Sequence, residues 1–114
     1  MTLNDLVTRY GFRVICGEEM LDRDIRGGYA GDMLSDVMNN TTAGDLWITL
    51  QVHQNTVAVA SMRELAGIAL IGGRVPLDDT LAKARDEKVP ILTTDLTAFE
   101  LCGRLYEAGL RGQS

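Results

Sequence analysis

The stretch Gly67-Ile68-Ala69-Leu70-Ile71-Gly72-Gly73-Arg74 reads as a short buried strand that stops at two glycines and an arginine. A short apolar run without polar alternation suits a strand covered on both faces. Two adjacent residues without Cβ at its carboxyl end allow a ligand or a neighbouring backbone to approach closely. Ligands of open α/β sheets gather at such strand ends.

On either side the same pattern repeats. Upstream, Gly44-Asp45 leads into Leu46-Trp47-Ile48-Thr49-Leu50; downstream, Val89-Pro90-Ile91-Leu92-Thr93 forms another strand, with Pro90 near its start where a missing N–H does least harm. Helical spacing separates them. A helix opening at Asn55 or Thr56 carries Ala58, Met62 and Leu65 and is ended by Gly67, and Pro76 with Asp78 launches another through Leu81, Ala84 and Arg85. Thr97 and Glu100 have the capping-box spacing ahead of Ala98, Leu101, Cys102, Leu105 and Ala108. Strand and helix thus alternate at least three times between residues 45 and 109, with connections too long for hairpins, which predicts right-handed crossovers and a mainly parallel sheet covered by helices.

The amino-terminal part is less regular. Thr2 and Asp5 are spaced as a capping pair for a helix striped by Leu3, Leu6 and Val7 and ended by Gly11. Residues 12–16 then read as a strand, and Gly17 turns the chain away. Leu21 to Asp32 reads as a short strand or extended segment, and Asp32 as the cap of a helix with Met33, Leu34, Val37 and Met38 on one face. Met33, Met38 and Met62 suit core filling. The expectation is one three-layer α/β domain over residues 1–110, its sheet mainly parallel or mixed and flanked by helices, with a frayed tail over 111–114.

The 114 residues, 46% hydrophobic and 24% charged, suffice for one core. The net charge of −5, with no cluster of lysine or arginine, argues against nucleic acid as a partner, because polyanion binding rests on bulk positive potential. A small anion held by a few aimed N–H groups and one arginine is not excluded by that charge. Cys16 and Cys102 lie far apart in apolar stretches and read as reduced thiols, pointing to the cytoplasm. The apolar runs are far too short for a membrane span, and Met1-Thr2-Leu3-Asn4-Asp5 lacks the features of a signal peptide.

If strands 46–50, 67–71 and 89–93 are parallel, their carboxyl ends bring together Gln51-Val52-His53-Gln54, Gly72-Gly73-Arg74 and Thr93-Thr94-Asp95. Arg74 and the amides of Gly72 and Gly73 suit a phosphate or carboxylate, and Thr94 with Asp95 suits hydroxyl groups. The bland alternative is a tight glycine turn, a solvated Arg74, and an Asp95 that only steadies the loop before Thr97. His53, the sole histidine, is the one side chain whose unperturbed pKa lies near neutrality, but no nucleophile or metal partner accompanies it. The phosphate-cradling GxxxxGK[ST] is absent, and Gly27-Gly28-Tyr29-Ala30-Gly31 does not fit GxGxxG. Asp22, Asp24 and Asp32 lack EF-hand spacing, so no metal or cofactor is expected.

From about Gly28 to Leu105 the chain resembles the DRTGG domain. The resemblance rests on Tyr29-Ala30-Gly31-Asp32-Met33-Leu34, on Ile71-Gly72-Gly73 where that family has Thr-Gly-Gly, and on Val89-Pro90-Ile91-Leu92-Thr93-Thr94-Asp95. It implies a fold like the amino-terminal domain of HPr kinase/phosphorylase and an accessory, regulatory role. Similar domains accompany those enzymes, some phosphotransacetylases and CBS-containing pyrophosphatases. Where the family has an Asp-Arg pair, this chain has Gln51-Val52-His53-Gln54, so the role of that pair does not carry over.

The function expected is a non-catalytic regulatory module, a homodimer, sensing a small anion such as an adenine nucleotide through Gly72, Gly73, Arg74, Thr94, Asp95 and His53. The alternative is an accessory subunit docking to a larger metabolic or redox enzyme. A small enzyme using His53 with Asp95 is a third reading.

Overall fold

In the computed structural model, which describes residues 1–112, strands and helices alternate along the chain. Helix α1 (Leu3–Tyr10) is followed by β1 (Arg13–Cys16), a single 3-10 turn (Glu18–Met20), β2 (Gly27–Ala30), α2 (Leu34–Asn40) and β3 (Asp45–Thr49). Helix α3 (Gln54–Met62), β4 (Gly67–Leu70), α4 (Asp78–Glu87), β5 (Ile91–Thr93) and α5 (Ala98–Glu107) complete it. Among the described residues the sheet runs β1-β5-β4-β3-β2, with β2 to β5 parallel and β1 antiparallel to β5.

Alternation along the central strands sorts side chains into two cores. Leu46, Ile48, Ala69 and Leu92 face Leu3 and Leu6 of α1 and Leu101 and Leu105 of α5. Trp47, Ile68, Leu70 and Ile91 face Val37 of α2, Val57 and Ala60 of α3, and Ala84 of α4. Every residue of β3, β4 and β5 is buried, as a strand covered on both faces requires. The three-layer expectation and the mixed sheet therefore hold.

Local chemistry sets the boundaries. Thr2 caps α1 in a full capping box: its hydroxyl accepts from the amide of Asp5, and its own amide donates to the Asp5 carboxylate. Thr97 likewise accepts from the amide of Glu100 at the start of α5.

Several local readings are corrected. Asp32 does not cap α2; Met33 takes the N-cap position, 68% exposed, and Met62 is equally exposed, so neither fills the core. Met38 does pack against it. Helix α3 begins at Gln54 and buries Thr56, Val57, Val59 and Ala60 rather than Ala58 and Met62. Its stop is Glu64, in the left-handed region at φ 55°, and Gly67 instead opens β4, where a Cβ would stand 3.1 Å from the Pro90 carbonyl. In the tail, the carbonyl of Arg111 accepts from the amide of Gly28, which ties residue 111 to edge strand β2; residues 113–114 lie outside the described part.

Candidate functional site

Parallel pairing of β2 to β5 places the segments that follow them along one edge of the sheet. The links between these segments are specific. The amide of Leu77 donates to the carbonyl of Val52, joining the segment after β4 to that after β3. The Thr93 hydroxyl donates to the Arg74 carbonyl at 2.5 Å. Next to them, one carboxylate oxygen of Asp32 accepts from the Thr49 hydroxyl (2.7 Å) and the Leu50 amide (2.8 Å), while the Gln51 side-chain amide donates to the Asp32 carbonyl. Asp32 thus clasps the ends of β2 and β3, a role its sequence context as a helix cap concealed.

The glycine pair forms a tight turn. Gly72 and Gly73 have φ 62° and 72°, and the Arg74 amide donates to the Ile71 carbonyl, the pattern of a type I′ turn. Both glycine amides are engaged: Gly72 donates to Leu96 (2.9 Å) and Gly73 to Thr94 (2.8 Å). These N–H groups therefore hold the β5–α5 loop rather than facing an open rim. Alanine at either position is expected to cost about 1 kcal/mol through the left-handed backbone. Gly72 has open space around a Cβ, and Gly73 meets only the end of the exposed Asp95 side chain at 3.1 Å, so neither substitution adds a large clash. Thermal unfolding of the two single variants checks this; two variants as stable as the parent would refute the turn.

Thr94 is also committed inward. It is 4% exposed, its hydroxyl accepts from the Leu96 amide, and its own amide donates to Leu70. Of the six residues expected at the rim, Arg74, Asp95 and His53 keep exposed side chains with no hydrogen-bond or ion-pair partner among the described residues. His53 occupies the N-cap position of α3 without a side-chain cap bond. No neighbouring group orients its imidazole, as a general base would need.

Features that sequence spacing did not reveal lie beside these. The first turn of α3 carries no acidic residue and no side-chain cap, so the amides of Gln54 and Asn55 face outward unneutralised. The first turn of α4 differs, with Asp78 and Asp79 countering its dipole. In the segments along this same edge Met33, Leu50, Val75 and Leu77 are exposed by 68%, 38%, 54% and 45%. Met33 and Leu77 sit at N-cap positions, where apolar residues stabilise a helix least. An apolar residue immediately before a helix, where Ser, Thr, Asp or Asn is favoured, is the sequence signal that would have marked this edge.

Other reactive groups are spoken for. Cys16 and Cys102 are free thiols whose pKa values burial pushes up, which makes them poor nucleophiles. Tyr29, at the end of β2, donates to Asp36; burial first, and then that carboxylate, push its pKa up to about 12. Among the described residues no cluster of His, Cys, Asp or Glu has metal-binding geometry, and no helix is long and apolar enough to cross a membrane.

Fold and edge together define a small open-sheet α/β domain whose strand ends lie on one edge with three helix starts that lack a side-chain cap, of which only that of α3 has no acidic residue in its first turn, and with one unpaired arginine. No protein-family profile and no curated protein matches the chain. Among solved structures, it is similar to the CBS and DRTGG domains of the regulatory region of Clostridium perfringens pyrophosphatase, complexed with its activator diadenosine tetraphosphate. The TM-score is 0.70 at 15% identity, over 96% of this chain and 47% of that one. The chain thus spans about half the length of that regulatory region, and the likeness is one of fold.

Proposed function

We propose that this chain is a non-catalytic regulatory module of the DRTGG type that binds a small anionic ligand at the carboxyl edge of its sheet and works as a homodimer. An adenine nucleotide is the first candidate ligand. The observation that carries the reading is that the acid-free amino terminus of α3 and the exposed, unpaired Arg74 lie on the same edge of the sheet, in segments joined by the Leu77 amide and the Val52 carbonyl. A helix amino terminus supplies about half a positive charge and free N–H donors, and a guanidinium adds a fork that fits phosphate. Asp95, exposed across the glycine turn, suits a ligand hydroxyl such as that of a ribose. The fold shared with a regulatory region complexed with a dinucleotide activator supports the same class of ligand.

Thermal unfolding with AMP, ADP, ATP, diadenosine tetraphosphate and acetyl phosphate tests the reading. A ligand at about 100 times its Kd stabilises by about 2.7 kcal/mol, roughly 10 °C for a domain of this size. Arg74→Ala is expected to weaken binding roughly 10- to 100-fold, the worth of a charge-assisted hydrogen bond. If none of these compounds raises the Tm, the proposal fails.

A second reading, an accessory subunit docking to a larger metabolic or redox enzyme, is favoured by the exposed Met33, Leu50, Val75 and Leu77 on the same edge. Purification from native cells as a monomer with no stoichiometric partner would exclude it.

A further inference from the structure

The opposite, amino-terminal edge of the sheet holds a cleft of about 450 Å³ between the segment leading to β2, the α2–β3 loop, and the ends of α3 and α4. Its sides carry Arg23, Arg26 and Lys88 together with Asp24, Glu64 and Glu87, three charges of each sign. Its floor includes the buried side chains of Leu65 and Val89. Among the described residues the single ion pair is that of Asp24 with the amino terminus, so none of these side chains pairs with another across the cleft.

The two helices that end here do so in an unusual way. At α3, the amide of Leu65 donates to Ala60 and that of Glu64 to Ser61; at α4, the amide of Val89 donates to Ala84. These are Schellman-type ends, whose left-handed residue is ordinarily glycine. Helices α1 and α5 follow that rule with Gly11 and Gly109, at φ 70° and 104°. At α3 and α4 the position is taken by Glu64 (φ 55°) and Lys88 (φ 58°), the two non-glycine residues with positive φ among those described. Both line the cleft. Charged side chains thus stand where the backbone favours none, at two places in the lining of one cavity.

Other contacts hold the arginines in place. The Arg23 guanidinium reaches the Ala66 carbonyl at 3.5 Å. The stem of Arg26 lies across Gly44, its carbons 2.8–3.3 Å from where a Cβ there would stand.

We propose that this cleft binds a small zwitterion, a free α-amino acid or dipeptide, as a ligand distinct from any at the carboxyl edge. Its carboxylate pairs with Arg23 and Arg26 and its ammonium with Glu64 and Glu87, while an aliphatic side chain rests on Leu65 and Val89. The balance of three charges of each sign gives no advantage to a polyanion or a polycation. A ligand carrying both charges pairs groups that the fold leaves separate.

Amide chemical-shift titration of the whole chain with each of the twenty L-amino acids, and with the dipeptide Ala-Leu, tests this. At least one is expected to give saturable shifts centred on residues 23–26, 44, 64–66 and 88–89, and its N-acetyl amide, lacking both charges, to give none. Arg26→Gln and Glu64→Gln, both at exposed positions, are expected to weaken binding at least tenfold. Lys88→Gly, which relieves the left-handed strain at φ 58°, is expected to raise the Tm by roughly 4 °C. The proposal is overturned if no compound gives saturable shifts, if the blocked derivative binds equally, or if the shifts centre on Arg74.

Discussion

Trp47→Ala is expected to destabilise the domain by about 3–5 kcal/mol, the range for removing a large aromatic side chain from a core. Trp47 is wholly buried in β3, a strand flanked on both sides, and packs into the core shared with α2, α3 and α4. Domains of this size hold only about 5–15 kcal/mol in total. The variant therefore sits near the edge of folding, with its urea midpoint lowered by roughly 2 M for a slope of about 2 kcal/mol/M. Trp47→Phe separates packing from hydrogen bonding. It retains most of the ring but removes the indole N–H, which donates to the Gly31 carbonyl at 2.8 Å. Leaving that carbonyl unpaired is expected to cost about 1–3 kcal/mol and to loosen Gly31-Asp32, the clasp at the carboxyl edge. Far-UV circular dichroism in urea is the proper measurement, because the chain contains one tryptophan and the substitution removes its fluorescence. An alanine variant with an unchanged midpoint would show that Trp47 is not a core residue.

Gly17→Ala carries the other large effect, about 2–4 kcal/mol. Two costs add here. Gly17 has φ 90°, which an alanine adopts only under strain, and its Cβ would stand 2.7 Å from the Pro90 Cα and 2.8 Å from the Pro90 Cβ. Pro90 belongs to the backbone entering β5, so relief requires β1 and β5 to part. Gly11→Ala is the control: at φ 70°, with nothing within 4 Å, it meets only the backbone strain, about 1 kcal/mol. Equal losses for the two variants, by thermal or urea unfolding, would refute the close approach of residue 17 to residue 90.

The central strands were legible because burial on both faces leaves no polar alternation to confuse them, and Leu46-Trp47-Ile48 and Ile68-Ala69-Leu70 carry that mark. Strand β2 was legible only as a short strand or extended segment somewhere between Leu21 and Asp32. Gly-Gly-Tyr-Ala has little strand character of its own, and its extended form is imposed from outside. It pairs with β3, and a Cβ at Gly27 would stand 2.7 Å from the Asp45 carboxylate. At the site, the chain itself marked Arg74, His53 and Asp95 by residue type and by position after strands. It could not show that the amides of Gly72 and Gly73 are engaged, because their acceptors, Leu96 and Thr94, belong to a loop more than twenty residues further on. Helix starts shifted by one or two residues, and that small shift hid the apolar N-cap positions of Met33 and Leu77.

Sequence by itself therefore determined a helix-covered, mainly parallel α/β domain, since periodicity and turn chemistry act between near neighbours. Strand order, the antiparallel place of β1, the clasp made by Asp32 and the charged cleft at the amino edge were decided only by the tertiary structure. Each joins residues far apart in the chain, and the strength of such contacts depends on distances and burial that no local pattern encodes.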